Sequence, residues 1–153
     1  MRIVVARTLA HYEAAIALFE AYALGLGIDL AFQNFDQELQ TLPQKYGPPT
    51  GELWLLENHK NFVGCAAIYQ LNPTTCELKR MYVQPAYRGQ KWGDALLQTA
   101  LQTAQKIGYQ TMRLDSLRRL EAAIKIYQRF GFQEIEPYNF NPEPDVVYFE
   151  RQL

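Results

Sequence analysis

Residues 78–97 read LKRMYVQPAYRGQKWGDALL, and this stretch decides the fold. Glu77 to Val83 (ELKRMYV) has strand character, and Pro85 ends it. A short loop then opens a helix running from Gly93 to Ile107. Leu96, Leu97, Ala100, Leu101, Ala104 and Ile107 recur there on one stripe, and Gly108 stands where a helix C-terminal glycine belongs. The first N–H groups of such a helix lack intrahelical partners, and its macrodipole adds roughly half a positive charge at that end. Arg88 and Lys91 add mobile charge, while Gly89 and Gly93 permit close backbone approach and positive φ. A pyrophosphate suits that junction. On these residues alone an ordinary turn, with Gly and Pro serving only the chain reversal, stays open. The segment is neither a Walker A loop nor a G-x-G-x-x-G fingerprint.

Towards the N-terminus, residues 2–7 (RIVVAR) read as a strand, and His11 to about Leu24 as an amphipathic helix ended by Gly25 and Gly27. A short helix is expected around Phe35 to Leu42, capped by Asn34 or Asp36. Glu52 to Glu57 (ELWLLE) and Phe62 to Leu71 (FVGCAAIYQL) form a hairpin joined near Asn58–Asn61. Towards the C-terminus, Thr111 to Leu114 is a short strand. Leu120, Ala123, Ile124, Tyr127 and Phe130 mark a second amphipathic helix closed by Gly131. Phe132 to Ile135 and Val146 to Arg151 are two last strands around a Pro- and Asn-rich loop. The order is β-α-α-β-β-β-α-β-α-β-β, an α/β (α+β) chain whose economical packing is a mixed sheet with helices on both faces. No linker or repeat divides residues 1–153, so one domain is expected.

Composition narrows the function classes. Apolar residues make up 48% and charged residues 20%, which excludes a disordered chain. The formal net charge of −1 and the lack of a basic stripe argue against nonspecific nucleic-acid binding. Cys65 and Cys76 match neither a disulfide framework nor a metal-ligand spacing, and His11 and His59 stand apart from them, so no metal is expected. Reduced thiols point to the cytoplasm. The apolar run at the N-terminus is too short for a signal peptide, and no stretch reaches membrane-spanning length.

The run from Glu77 to Gly93 resembles the CoA-binding motif of GNAT acetyltransferases. There a strand ending in an aromatic or apolar triplet and Pro leads into Arg/Gln-x-x-Gly-x-Gly/Ala and a helix. Arg88 and Gly93 fill the outer positions, and Lys91 stands where the family usually has its middle Gly. Downstream, AIKIYQRFGF (residues 123–132) is similar to the family's A-I-x-L-Y-x-x-x-G-F signature. Leu120 replaces an Asn that contacts CoA in many members. Together these motifs cover about the last half of the chain.

The resemblance implies a mostly antiparallel sheet and an N-acetyltransferase that moves acetyl from acetyl-CoA to a primary amine of a small molecule, amino acid or peptide. It implies cosubstrate contacts from Met81, Tyr82 and Val83, through a strand backbone left free for pantetheine, and from Arg88, Gly89, Gln90, Lys91, Trp92, Gly93 and Asp94. Lys91 keeps its backbone contacts if its φ stays negative; alternatively its ammonium joins the phosphates. An amine nucleophile must shed a proton held near pH 10.4, and a leaving thiolate gains one. Tyr127 is the candidate acid, though its helical stripe also fits a core side chain. Glu77 is the candidate base, with a water chain or a merely solvated Glu as alternatives. Phe32, Phe35 and Tyr138 are expected to line the acceptor slot. Homodimers are frequent among such proteins, and no feature of this sequence demonstrates one. A non-catalytic acyl-CoA-binding regulatory domain is the alternative function.

Overall fold

A computed structural model describes the backbone of residues 1–153 and every side chain except those of Phe32 and Gln33. Seven strands form one sheet in the order β1-β2-β3-β4-β5-β7-β6. They are β1 (Arg2–Val5), β2 (Glu52–Asn58), β3 (Asn61–Asn72), β4 (Thr75–Val83), β5 (Thr111–Leu117), β6 (Gln133–Ile135) and β7 (Val146–Gln152). All neighbouring pairs are antiparallel except β4 with β5. The helices are α1 (Leu9–Leu26), α2 (Phe35–Gln40), α3 (Leu42–Lys45), α4 (Trp92–Ile107) and α5 (Glu121–Arg129). The expected order holds, with α3 added as a one-turn extension that carries Pro near its start, where a missing N–H costs nothing.

Two apolar cores sandwich the sheet. On one face α4 and α5 pack Leu96, Leu97, Leu101 and Tyr127 against Trp54, Ile68, Met112 and Phe149. On the other, Phe19 of α1 meets Leu42 and Tyr46 over Leu53, Leu55 and Cys65. Thr8 and His11 fix the start of α1 as a reciprocal capping box.

What positions the site is a split in this sheet. Strands β4 and β5 pair only at Thr75–Thr111, Cys76–Met112 and Glu77–Arg113. Beyond Glu77, β4 continues along β3, and beyond Arg113, β5 continues along β7. A bulge accompanies the parting. The β3–β4 register slips between Cys65 and Ala67, and Arg80 takes a φ of 57°. Bulges bend and twist a strand, which carries the end of β4 away from β5. The buried Cys65 thiol donates to the Arg80 carbonyl at 3.1 Å, so Cys65 has a structural task at the bulge.

Candidate active site

The split opens a cavity of about 60 Å³ that runs between the two faces of the sheet. Met81 lines it from β4, Asp115 and Ser116 from β5, Tyr127 from α5, and Tyr22 from α1. Met81 and Val83 pack against the α4–α5 core, whereas Tyr82 packs on the α1 side. Past Glu77, β4 has no strand partner on its β5 edge among the described residues.

The loop after β4 delivers the chain to the N-terminus of α4. Pro85–Tyr87 form one 3-10 turn. Gly89 follows with φ 79°, exposed and with open space around it. Gln90 and Lys91 are also exposed, and Trp92 is half-buried. Lys91 caps α4 with φ 63°, without a side-chain cap bond. The condition of negative φ set from the sequence is therefore not met: Lys91 adopts the left-handed shape for which the usual glycine is suited. Gly93 differs from expectation too. It lies inside α4, and an added Cβ would stand 3.2 Å from Ile126 Cδ1, so its smallness serves the contact between α4 and α5. Two of the charged side chains are engaged. Arg88 Nε donates to the Val83 carbonyl at 2.8 Å, with its guanidinium 5.6 Å from the Tyr82 ring. Asp94 accepts from Arg129 at 2.6 and 2.7 Å.

Tyr127 is 6% exposed, and its ring packs on Phe132 and Phe149. Tyr127 lines the cleft, and no hydrogen bond to its hydroxyl is found among the described residues. Burial, aided by Tyr22 and Asp115, pushes its pKa well up, so the phenol keeps its proton. Tyr22 resembles it: burial pushes its pKa up to about 12 against the opposing charge of Arg80, with Asp115 adding to the rise.

Glu77 is not a solvated edge residue. It is 1% exposed, accepts from Tyr138 at 2.6 Å and Tyr69 at 3.2 Å, and pairs with Lys79 Nζ at 3.0 Å. It does not line the cleft, although Lys79 does. Tyr138 thus sits on Glu77, with the Arg113 guanidinium 5.5 Å from its ring. Phe35 starts α2, packs on the α1-side core and lies 5.2 Å from the Arg80 guanidinium. The side chain of Phe32 lies outside the described residues. Arg118 pairs with Glu134, and Arg119 with Glu143 and Asp145, so both arginines have protein partners.

The motif-based reading did not single out Tyr22 or Asp115 for the site. Tyr22 falls within the helix expected from His11 to about Leu24, where nothing in the sequence attached chemistry to it. Asp115 falls just past the expected end of its strand.

A sheet parted between two parallel strands, a buried tyrosine at the gap and an uncapped helix start beyond it together have the form of an acyl-CoA N-acyltransferase. Residues 49–134, more than half the chain, match the family described as an acetyltransferase (GNAT) domain. An uncharacterized N-acetyltransferase of Schizosaccharomyces pombe is 41% identical over 138 residues, covering 89% of this chain and 85% of that protein. A GNAT-family acetyltransferase of Staphylococcus aureus has the same fold, with a TM-score of 0.81 over 99% of both chains at 23% identity. A GNAT-family acetyltransferase of Elizabethkingia anophelis, solved with acetyl-CoA bound, superposes with a TM-score of 0.71 over 99% of this chain and 97% of its own, at 21% identity. The chain belongs to the GNAT acetyltransferase family, whose acyl donor is acetyl-CoA.

Proposed function

We propose that residues 1–153 act as one N-acetyltransferase domain that moves acetyl from acetyl-CoA to a primary amine of a small molecule, amino acid or peptide. The observation that carries this is the gap between β4 and β5 with Tyr127 in its wall. The unpaired edge of β4 at Met81, Tyr82 and Val83 suits pantetheine, added as a short pseudo-strand. Val83 contributes through its N–H, because its carbonyl already accepts from Arg88. The α4 start, with Gly89, Gln90, Lys91, Trp92 and Gly93, suits the pyrophosphate through unpartnered N–H groups and the dipole. Asp94 supports that turn by holding Arg129 nearby.

The amine nitrogen attacks the thioester carbon, the C–N bond forms and the C–S bond breaks. The departing sulfur takes its proton from Tyr127, which regains one shed by the amine. Because Glu77 is enclosed, a proton that it takes passes through an intervening group; Lys79 touches both Glu77 and the cleft. Phe35 and Tyr138 support the acceptor side from behind the cleft wall.

Thiol release from acetyl-CoA across a panel of primary amines tests this, with thermal shift by acetyl-CoA measured beside it. Amine-dependent release is expected. Binding of acetyl-CoA without release across the panel would favour a non-catalytic acyl-CoA-binding domain.

A further inference from the structure

We propose that Asp115 anchors the ammonium group of the acceptor, so that the acceptor enters the cleft as a cation from the α1 side of the sheet. This rests on the acetyl-transfer reading above and names the residue that selects the acceptor.

The charges around the cleft are unequal in their company. Lys79 and Arg80 line it, and each is already bonded to a buried carboxylate, Glu77 at 3.0 Å and Glu38 at 2.8 Å. Arg113, two residues before Asp115, is bonded to Glu150 at 2.8 Å. Asp115 has no cation within ion-pairing distance among the described residues. Its one hydrogen bond is a long one, 3.4 Å from Asn141 Nδ2. A half-buried carboxylate without a cation is costly unless water solvates it or a ligand supplies the missing charge. Among the described residues that line the cleft, Asp115 is the one acidic side chain, and it is left for a guest.

Its direction fits the reaction. Asp115 stands opposite Tyr148 on β7, whose ring packs on Tyr138; Val147 and Phe149 face the α4–α5 core, so alternation along the strand turns Tyr148 and Asp115 to the other, α1 side. The adjacent Leu114 points into the α4–α5 core, the side from which Tyr127 comes. Asp115 and Tyr127 therefore approach one cleft from opposite faces. An acyl donor at Tyr127 and an amine at Asp115 would meet in the gap. Tyr22, which lines the cleft from α1, adds electron-rich aromatic surface on the amine's side, which favours a cation. The negative charge of Asp115 is also felt at the Tyr22 and Tyr127 phenols, whose pKa values it helps to raise. Primary alkylamines are almost wholly protonated at neutral pH, so a carboxylate gathers the abundant form. The N–H it holds is the bond that must break before attack.

The test compares n-butylamine with its neutral isostere n-butanol, titrated into CoA-saturated protein and followed by the amide shifts of β5. The amine is expected to bind at least about ten-fold tighter than the alcohol, and Asp115→Asn is expected to erase that ratio. Asp115→Ser serves as a second variant, and the thermal melting of each is recorded to confirm folding. Equal affinities, no shift with either compound, or a ratio that survives both substitutions would overturn the proposal. CoA binding is read in the same samples. If CoA does not bind, the donor reading fails, and the amine–alcohol comparison made without it still judges Asp115.

Discussion

The Tyr138 hydroxyl donates a 2.6 Å hydrogen bond to Glu77, joining the loop after β6 to β4 across 61 residues of sequence. No strand pairing links those two segments among the described residues, so this bond holds the loop across β5 together with the Arg113 and Tyr148 contacts to the Tyr138 ring and the Asn141–Asp115 hydrogen bond. Burial and the neighbouring Glu77 charge push the Tyr138 pKa far up, which keeps the donor protonated at any ordinary pH. Tyr138→Phe should destabilise the protein by about 2 kcal/mol, the scale of a hydrogen bond to a charged group. Urea unfolding measures it. A loss below about 0.5 kcal/mol would mean that the loop is held by other contacts.

Glu77 itself has two hydrogen-bond donors, an ion-paired Lys79 and almost no exposure. Substituting Gln removes the charge that Lys79 answers, in a setting where breaking one partner of a buried pair costs about 3–5 kcal/mol. If Glu77 also accepts the amine's proton, the acidic limb of the kcat–pH profile should flatten in Glu77→Gln. An intact limb with lowered melting temperature would leave Glu77 as a structural pin alone.

The fold was largely legible because its helices carry apolar stripes closed by glycines and its strands carry β-branched and aromatic runs. Boundaries slipped where polarity interrupted a pattern. Strand β5 reaches Leu117 rather than Leu114, since Ser116 stands at a buried position where the alternation calls for an apolar residue. Pro43 disguised α3, because a proline near a helix start reads as a breaker. For the site, Tyr127 was reached through its motif, and the stripe alone would have left it in the core. Asp115 was not reached, because the absence of a nearby cation is a property of three-dimensional neighbours. Likewise the smallness of Gly93 serves Ile126, a partner 33 positions away in sequence that no local pattern announces.

Tyr127→Phe separates chemistry from binding. The ring and its packing on Phe132 and Phe149 are retained, and only the hydroxyl is removed. Turnover should fall by about 10²-fold or more, as expected for loss of a positioned acid, while the acetyl-CoA dissociation constant stays within about three-fold. Equal losses in both would assign Tyr127 to donor binding; unchanged turnover would remove it from the mechanism.

Lys91 holds a left-handed backbone at the start of α4, at a cost on the order of 1 kcal/mol for a residue with Cβ. Glycine relieves that cost but adds about 0.4–1 kcal/mol of unfolded-state entropy. Lys91→Gly should therefore change stability by less than about 1 kcal/mol. If the ammonium assists the CoA phosphates, the variant binds CoA several-fold more weakly at low salt, and the gap narrows as salt screens the charge. Calorimetric titration at two ionic strengths decides this. Wild-type affinity in the Gly variant would leave the phosphates to the backbone alone.

Glu38 links the α2 helix to the bulge that parts the sheet. It accepts from Arg80 Nε at 2.8 Å and Tyr46 at 2.6 Å, pairs with Lys45 at 3.0 Å, and is 2% exposed. Burial pushes its pKa up, but the Arg80 hydrogen bonds and charge, with help from Lys45 and Tyr46, outweigh that and leave it below the usual carboxylate range. With the folded pKa depressed, the unfolded chain takes up the proton first as pH falls. The stabilisation is full above the unfolded value of about 4.3 and is lost as pH drops through the folded one. Glu38→Gln should melt well below the wild type near neutral pH, and the two melting curves should converge as the pH falls below the unfolded carboxyl value of about 4.3. A gap that stays constant across that range would mean that ionisation of Glu38 does not stabilise the fold. Because Arg80 sits at the bulge, the wild type should also lose acetyl-CoA affinity over the same acidic interval, before it unfolds.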